Sequence, residues 1–105
     1  MERVLVVCGA GASSTFLAHW IRRGATSRGL EITVQAGSLA DLPAQLPDLD
    51  ILLVGQHLSE SYPEIREQAA AASVRVALLP ALTYDRAGSD LALGIVEELS
   101  KARHG

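Results

Sequence analysis

Two short runs, Val4-Leu5-Val6-Val7 and Ile51-Leu52-Leu53-Val54, are apolar at every position. A strand turns successive side chains to opposite faces, so these strands must be covered on both sides. That requirement points to a sheet held between helices, with parallel strands joined by helical crossovers. The remaining pattern agrees. The first strand spans residues 3–7. Ser13, Ser14 and Thr15 are helix-capping residue types, and any of them can open the following helix. Phe16, Leu17, Trp20, Ile21 and Ala25 form its inward stripe. Arg22, Arg23 and Arg28 load its last turns, where cations suit the helix dipole, and Gly29 closes it. Residues 31–36 alternate and read as a second strand, with Ile32 and Val34 on one face. Residues 37–49 contain Pro43 and Pro47 and have room for one short helical turn at most, near Leu39 to Leu42. A third strand spans 50–55. Pro63 suits the first turn of a helix reaching about Ala72. Val74 to Leu79 forms a fourth strand, stopped by Pro80. The last helix runs from about Gly88 to Ala102, with Leu91, Ile95, Val96 and Leu99 inward. The expected fold is α/β: an open four-stranded parallel sheet flanked by helices, in a single domain over residues 1–105.

In such a sheet, ligands sit beyond the carboxyl ends of the strands. The loops that matter are therefore 8–15, 37–42, 55–62 and 80–90. The first of them, Cys8-Gly9-Ala10-Gly11-Ala12-Ser13-Ser14-Thr15, carries the strongest chemical signal. Gly9 and Gly11 let a ligand approach the backbone closely. Successive amide N–H groups in such a turn form a nest for an anion. The helix that follows adds its positive end, and Ser13, Ser14 and Thr15 add hydroxyl donors. The same field favours the thiolate, which is the nucleophilic form of Cys8. One loop thus activates a sulfur and cradles the charge of a phosphoryl group.

Composition narrows the alternatives. Nine basic residues against twelve acidic ones leave a net charge of −3, and the basic residues are scattered. That balance speaks against nucleic acid as a partner and gives no polybasic membrane patch. A single cysteine excludes an internal disulfide, and no zinc spacing is present. The sequence implies no metal and no cofactor. The apolar N-terminal run is too short for a signal peptide or a spanning helix, and the lone thiol fits a reducing compartment, so a mature cytoplasmic chain is expected.

Three anion loops compete for the Cys8 segment. The nucleotide P-loop needs a lysine beside its final Ser or Thr, and the first lysine here is Lys101. A dinucleotide fingerprint is only partly matched by Gly9, Gly11 and Ser14, and the acidic residue expected after the second strand is replaced by Gln35-Ala36-Gly37. The cysteine phosphatase loop needs an arginine six residues after the cysteine, where this chain has Ser14. Without that guanidinium, the loop lacks the bidentate clamp that stabilises hydrolytic transition states. It suits holding a phosphoryl group and passing it on. A low-molecular-weight cysteine phosphatase or arsenate-reductase relative stays the alternative reading, and a regulatory domain that senses phosphorylation is a third.

The chain resembles the IIB components of the lactose, cellobiose and chitobiose branch of the bacterial phosphoenolpyruvate-dependent sugar phosphotransferase system. Their loop typically reads Cys-x-Ala-Gly-Met-Ser-Thr-Ser; Cys8, Ala10, Gly11 and Ser13 match, Ala12 replaces the methionine, and Ser14 and Thr15 exchange hydroxyl order. The family's Gly-Pro-Gln after the third strand appears here as Gly55-Gln56, followed by His57. Pro63-Glu64-Ile65 and Tyr84 also look like family positions, whereas Asp85-Arg86 departs from the glycine that usually follows the tyrosine. The resemblance implies a phosphocysteine transferase. A phosphohistidine on a IIA protein donates to Cys8, and the phosphocysteine donates to a sugar bound by the membrane IIC component. The chain would then work in the cytoplasm and transiently at the inner face of the membrane. Gly9 to Thr15 are the expected phosphoryl-binding residues. Gln56, His57 and Tyr84 are candidates for the site wall or the partner surface. Asp85 reads as a turn aspartate, His19 as a surface residue and Trp20 as core.

Overall fold

The computed structural model describes residues 2–7, 11–80 and 86–104, the side chains of 11–14 and 101–104 aside. Cys8, Gly9, Ala10, Tyr84 and Asp85 lie outside the described residues.

Four strands, β1 (Glu2–Val7), β2 (Ile32–Gly37), β3 (Ile51–Val54) and β4 (Arg75–Leu78), form a parallel sheet in the order β2-β1-β3-β4. The register pairs Val7 with both Gly37 and Val54, and Val54 with Leu78, so the carboxyl ends of all four strands share one edge. The two wholly apolar runs are the central strands, as covering on both faces demands. Val4, Val6, Ile51 and Leu53 point into one core with Leu17, Ile21, Leu93 and Val96. Leu5, Val7, Leu52 and Val54 point into the other, with Leu42, Leu46, Ile65 and Ala69. The period-two alternation of strand side chains thus splits one apolar run between two cores.

Helices α1 (Gly11–Ser27) and α4 (Arg86–His104) cover the first face; α2 (Leu42–Gln45) and α3 (Tyr62–Ala71) cover the second. Both long α/β turns use the same ending. Leu30 N–H bonds the Ala25 carbonyl at 2.9 Å, and Val74 N–H bonds the Ala69 carbonyl at 2.8 Å. Between each pair one residue takes positive φ: Gly29 at 70° and Ser73 at 60°. This is the six-to-one closure of a helix end around a left-handed residue.

Several sequence expectations are corrected. Helix α1 is already under way at Gly11, so Ser13, Ser14 and Thr15 belong to its opening turns rather than its cap. Arg22, Arg23 and Arg28 are not in its last turn; Arg22 Nε instead donates to the Val34 carbonyl at 2.6 Å, pinning α1 to β2. The helical segment in 37–49 lies later and is longer than expected. It comprises α2 and a 3-10 turn over Leu46–Asp48, each with a proline in its first turn, where the missing N–H is harmless. Residues 56–61 form two short 3-10 turns joined at a kink at Leu58 rather than open loop. The last helix starts at Arg86 and reaches His104. Phe16 and Leu91, expected inward, are 63% and 57% exposed. Trp20 is half-buried rather than core, with Arg23 over its ring.

Candidate functional site

The chain leaves β1 for β2 through α1 on one face, then returns past β1 to β3 through α2 on the other face. The direction of winding therefore reverses between β1 and β3. In open α/β sheets that reversal opens a crevice beyond the strand ends, where ligands bind. Val7 is the last residue of β1 and fully buried, and Gly11, four residues on, starts α1. The segment 8–10 is the link between them in sequence.

Backbone bonds fix the described side of this edge. Gly55 N–H donates to the Val7 carbonyl at 2.7 Å, and Leu79 N–H donates to the Val54 carbonyl at 2.7 Å. Both extend the ladder one residue past the strands, so Gly55 is locked beside the end of β1. Gly55 is buried and extended; Leu58 N–H then bonds its carbonyl at 3.0 Å and turns the chain. Gln56 and His57 follow as exposed residues at the start of this turn. Helix α1 carries no acidic residue in its first turn, so its own opening residues do not offset the positive end of its dipole. Tyr84 falls outside the described residues, as do Cys8, Gly9 and Ala10; the side chains of Ala12, Ser13 and Ser14 are likewise not described. Of the expected site residues, the structure describes the backbone at the start of α1 and the Gly55-Gln56-His57 turn, the latter set beside the end of β1 by the Gly55–Val7 bond.

Two neighbours of this edge escaped the pattern reading. Phe16, one turn into α1, and Leu39, two residues past the end of β2, are exposed apolar side chains. Phe16 carried a usable signal. At about 100° per residue it lies about 140° around the helix from the centre of the stripe marked by Leu17, Ile21 and Ala25. Among the described residues no group of three or more His, Cys, Asp or Glu is placed to hold a metal ion, and no helix is long and apolar enough to cross a membrane.

Comparison with known proteins places the chain in a family. The family described as "PTS system, Lactose/Cellobiose specific IIB subunit" matches residues 3–89. The chain belongs to that family of sugar phosphotransferase components. Two solved structures share the fold. One is the lactose-specific IIB component domain of the phosphoenolpyruvate:carbohydrate phosphotransferase system from Streptococcus pneumoniae, with a TM-score of 0.78 at 18% identity, covering 91% of this chain and 95% of that one. The other is the cellobiose-specific phosphotransferase IIB component protein from Borrelia burgdorferi, with a TM-score of 0.73 at 19% identity, covering 93% and 90%. No curated protein sequence matches the chain. Family membership supports a sugar phosphotransferase role and, in general terms, interaction with IIA and IIC components.

Proposed function

We propose that residues 1–105 form one phosphocarrier domain, a protein-phosphocysteine–sugar phosphotransferase. Cys8 takes a phosphoryl group from a phosphohistidine on a IIA protein and passes it to a sugar, of the disaccharide class, held by a membrane IIC component. The observation that carries this reading is the position of the Cys8 segment in the chain. It links the buried end of β1 to the first turn of α1, beside the winding reversal, in a member of the IIB family.

The Cys8 thiolate attacks phosphorus in line, a P–S bond forms, and the P–N bond to the donor imidazole breaks. In the second step a sugar hydroxyl attacks phosphorus, the P–S bond breaks, the thiolate returns, and the hydroxyl proton leaves to a base outside this chain. Phosphoryl transfer asks a protein mainly for positioning and charge stabilisation. Backbone N–H groups over Gly9 to Thr15 and the positive end of α1 supply both, with the hydroxyls of Ser13, Ser14 and Thr15 as further donors. A thiolate held in that field needs no separate base. Ser14 stands where a cysteine phosphatase has its arginine, which favours transfer over hydrolysis. Gln56, His57 and Tyr84 form the wall or the partner surface. The chain then acts in the cytoplasm, visiting the inner face of the membrane when it meets IIC.

The test is onward transfer. Membrane vesicles carrying a lactose- or cellobiose-family IIC, supplied with phosphoenolpyruvate, the general components and IIA, should form sugar phosphate only when this chain is added. The Cys8→Ser variant should fail to support it. Formation undiminished by that variant contradicts the proposal, and hydrolysis of an aryl phosphate well above a Cys8→Ala control would favour the phosphatase reading instead.

A further inference from the structure

The groove between α1 and α4 takes no part in the transfer described above. It encloses about 470 Å³, within the range of small-molecule sites. Its lining includes Trp20, Arg23 and Arg28 from α1 and its end, and Arg86, Ser89 and Asp90 from the start of α4. Three arginines against one aspartate make this lining cationic.

The three arginines are not equivalent. Arg28 is committed to two carboxylates, Asp90 at 3.4 Å and Glu97 at 3.2 Å. Arg23 and Arg86 have no carboxylate partner among the described residues. The Arg23 guanidinium lies 5.4 Å from the centroid of the Trp20 ring, which holds it at the groove wall. Arg86 opens α4. The buried Ser89 hydroxyl donates to the Arg86 carbonyl at 2.9 Å, leaving its oxygen able to accept. Gly24 lets α1 and α4 approach closely beside the groove: a Cβ there would sit 2.5 Å from Leu93 Cδ1.

We propose that this groove binds a phosphomonoester on a small polyhydroxylated ring, the chemistry of a sugar phosphate. Arg23 and Arg86 supply two guanidinium forks for a dianionic phosphate. Trp20 offers an apolar surface to the C–H face of a ring. Asp90 and Ser89 accept hydrogen bonds from ring hydroxyls. A bare anion would use the arginines and leave the other three groups idle. The chemistry rests on the groove's own residues. The source of such a ligand, as the product of the transfer proposed above, rests on that reading.

Trp20 is the sole tryptophan, so its emission reports this groove. The full chain is titrated with glucose 6-phosphate, glucose and inorganic phosphate, with calorimetry giving an independent midpoint. Saturable binding of glucose 6-phosphate is expected, about tenfold or more tighter than inorganic phosphate, with none for glucose. The Arg23→Gln/Arg86→Gln double variant should weaken it about tenfold or more while keeping its circular dichroism and urea midpoint. Cys8→Ser should bind like the parent. No binding, equal binding of inorganic phosphate, or unchanged affinity in the double variant overturns the proposal. Loss of binding in Cys8→Ser also overturns it, by moving the ligand to the loop. Labelling of Cys8 by a IIA donor is a separate measurement, so failure of the carrier reading and failure of the groove are distinguishable.

Discussion

Gly24 shows how one missing methyl shapes this protein. Its place in α1 would ordinarily favour alanine, by about 1 kcal/mol of helix propensity. A Cβ, however, would reach Leu93 Cδ1 at 2.5 Å, and Leu93 is fully buried and has no room to retreat. Overpacking of that kind costs about 1–3 kcal/mol. Gly24→Ala should therefore lower stability by roughly 1 kcal/mol net, read as a lower urea midpoint. In a Leu93→Ala background the clash is gone, and the same substitution should become neutral or stabilising; an unchanged penalty there would mean that the two helices are not spaced by this contact. Residues at this scale were only partly legible in the sequence. Leu17, Ile21 and Val96 are core as their spacing predicts. Leu91 fails because the buried face of α4 is set by Ser89, Ala92, Leu93 and Val96. Leu91 lies about 150° around the helix from that face. A small residue carries little hydrophobic weight in a pattern, so a face built on Ser89 and Ala92 is easily misplaced.

The elements themselves were more legible than their ends. Four strands and three of the four helices follow from apolar runs and stripes. The exception is α2, where Pro43 and Pro47 read as breakers, although both occupy first-turn positions in which proline is tolerated. What makes the segment helical is its packing: Leu42 and Leu46 are buried against Leu5 and Val7. Leu42→Ala should cost about 2–5 kcal/mol, measured by chemical unfolding. A cost below 1 kcal/mol would make α2 an ornament rather than a lid on the second core. The two matched helix endings give a sharper comparison. Gly29 takes positive φ with nothing within 4 Å of an added Cβ, so Gly29→Ala meets only backbone strain and should lose about 1 kcal/mol. Ser73 holds the equivalent conformation without glycine's freedom. Ser73→Gly should accordingly raise the melting temperature, with up to about 1 kcal/mol gained. Opposite signs at these two sites are the expected result; equal signs would contradict the shared motif.

Across the whole molecule, the sheet has its candidate site and its fastening at opposite edges. The carboxyl ends of β1 and β3 face the candidate site. At the other edge Glu2 accepts from Arg75 Nη2 at 3.2 Å and from Ser100 Oγ at 2.8 Å, joining β1, β4 and α4. The pair is largely buried, and Arg75 Nε has no partner among the described residues. Removing Glu2 therefore leaves a guanidinium with less compensation than it already has. Glu2→Ala should cost about 1–3 kcal/mol in stability while leaving phosphotransfer intact in the folded fraction, as a comparison of unfolding curves with initial rates would show. The sequence revealed the parallel four-stranded α/β class at this scale, because its apolar runs and helical stripes are local signals. It did not reveal the α1–α4 groove or the Glu2 network, because these join residues separated by 62 to 98 positions. No local pattern encodes such meetings. The most direct measurement transfers labelled phosphate from phosphoenolpyruvate through the general components and IIA, digests the chain under conditions that preserve phosphorylated cysteine, and locates the label by mass spectrometry. The account predicts label on the peptide containing Cys8 and none in the Cys8→Ala variant. Label on a histidine, or none after trials with several lactose- and cellobiose-family IIA proteins, would contradict it.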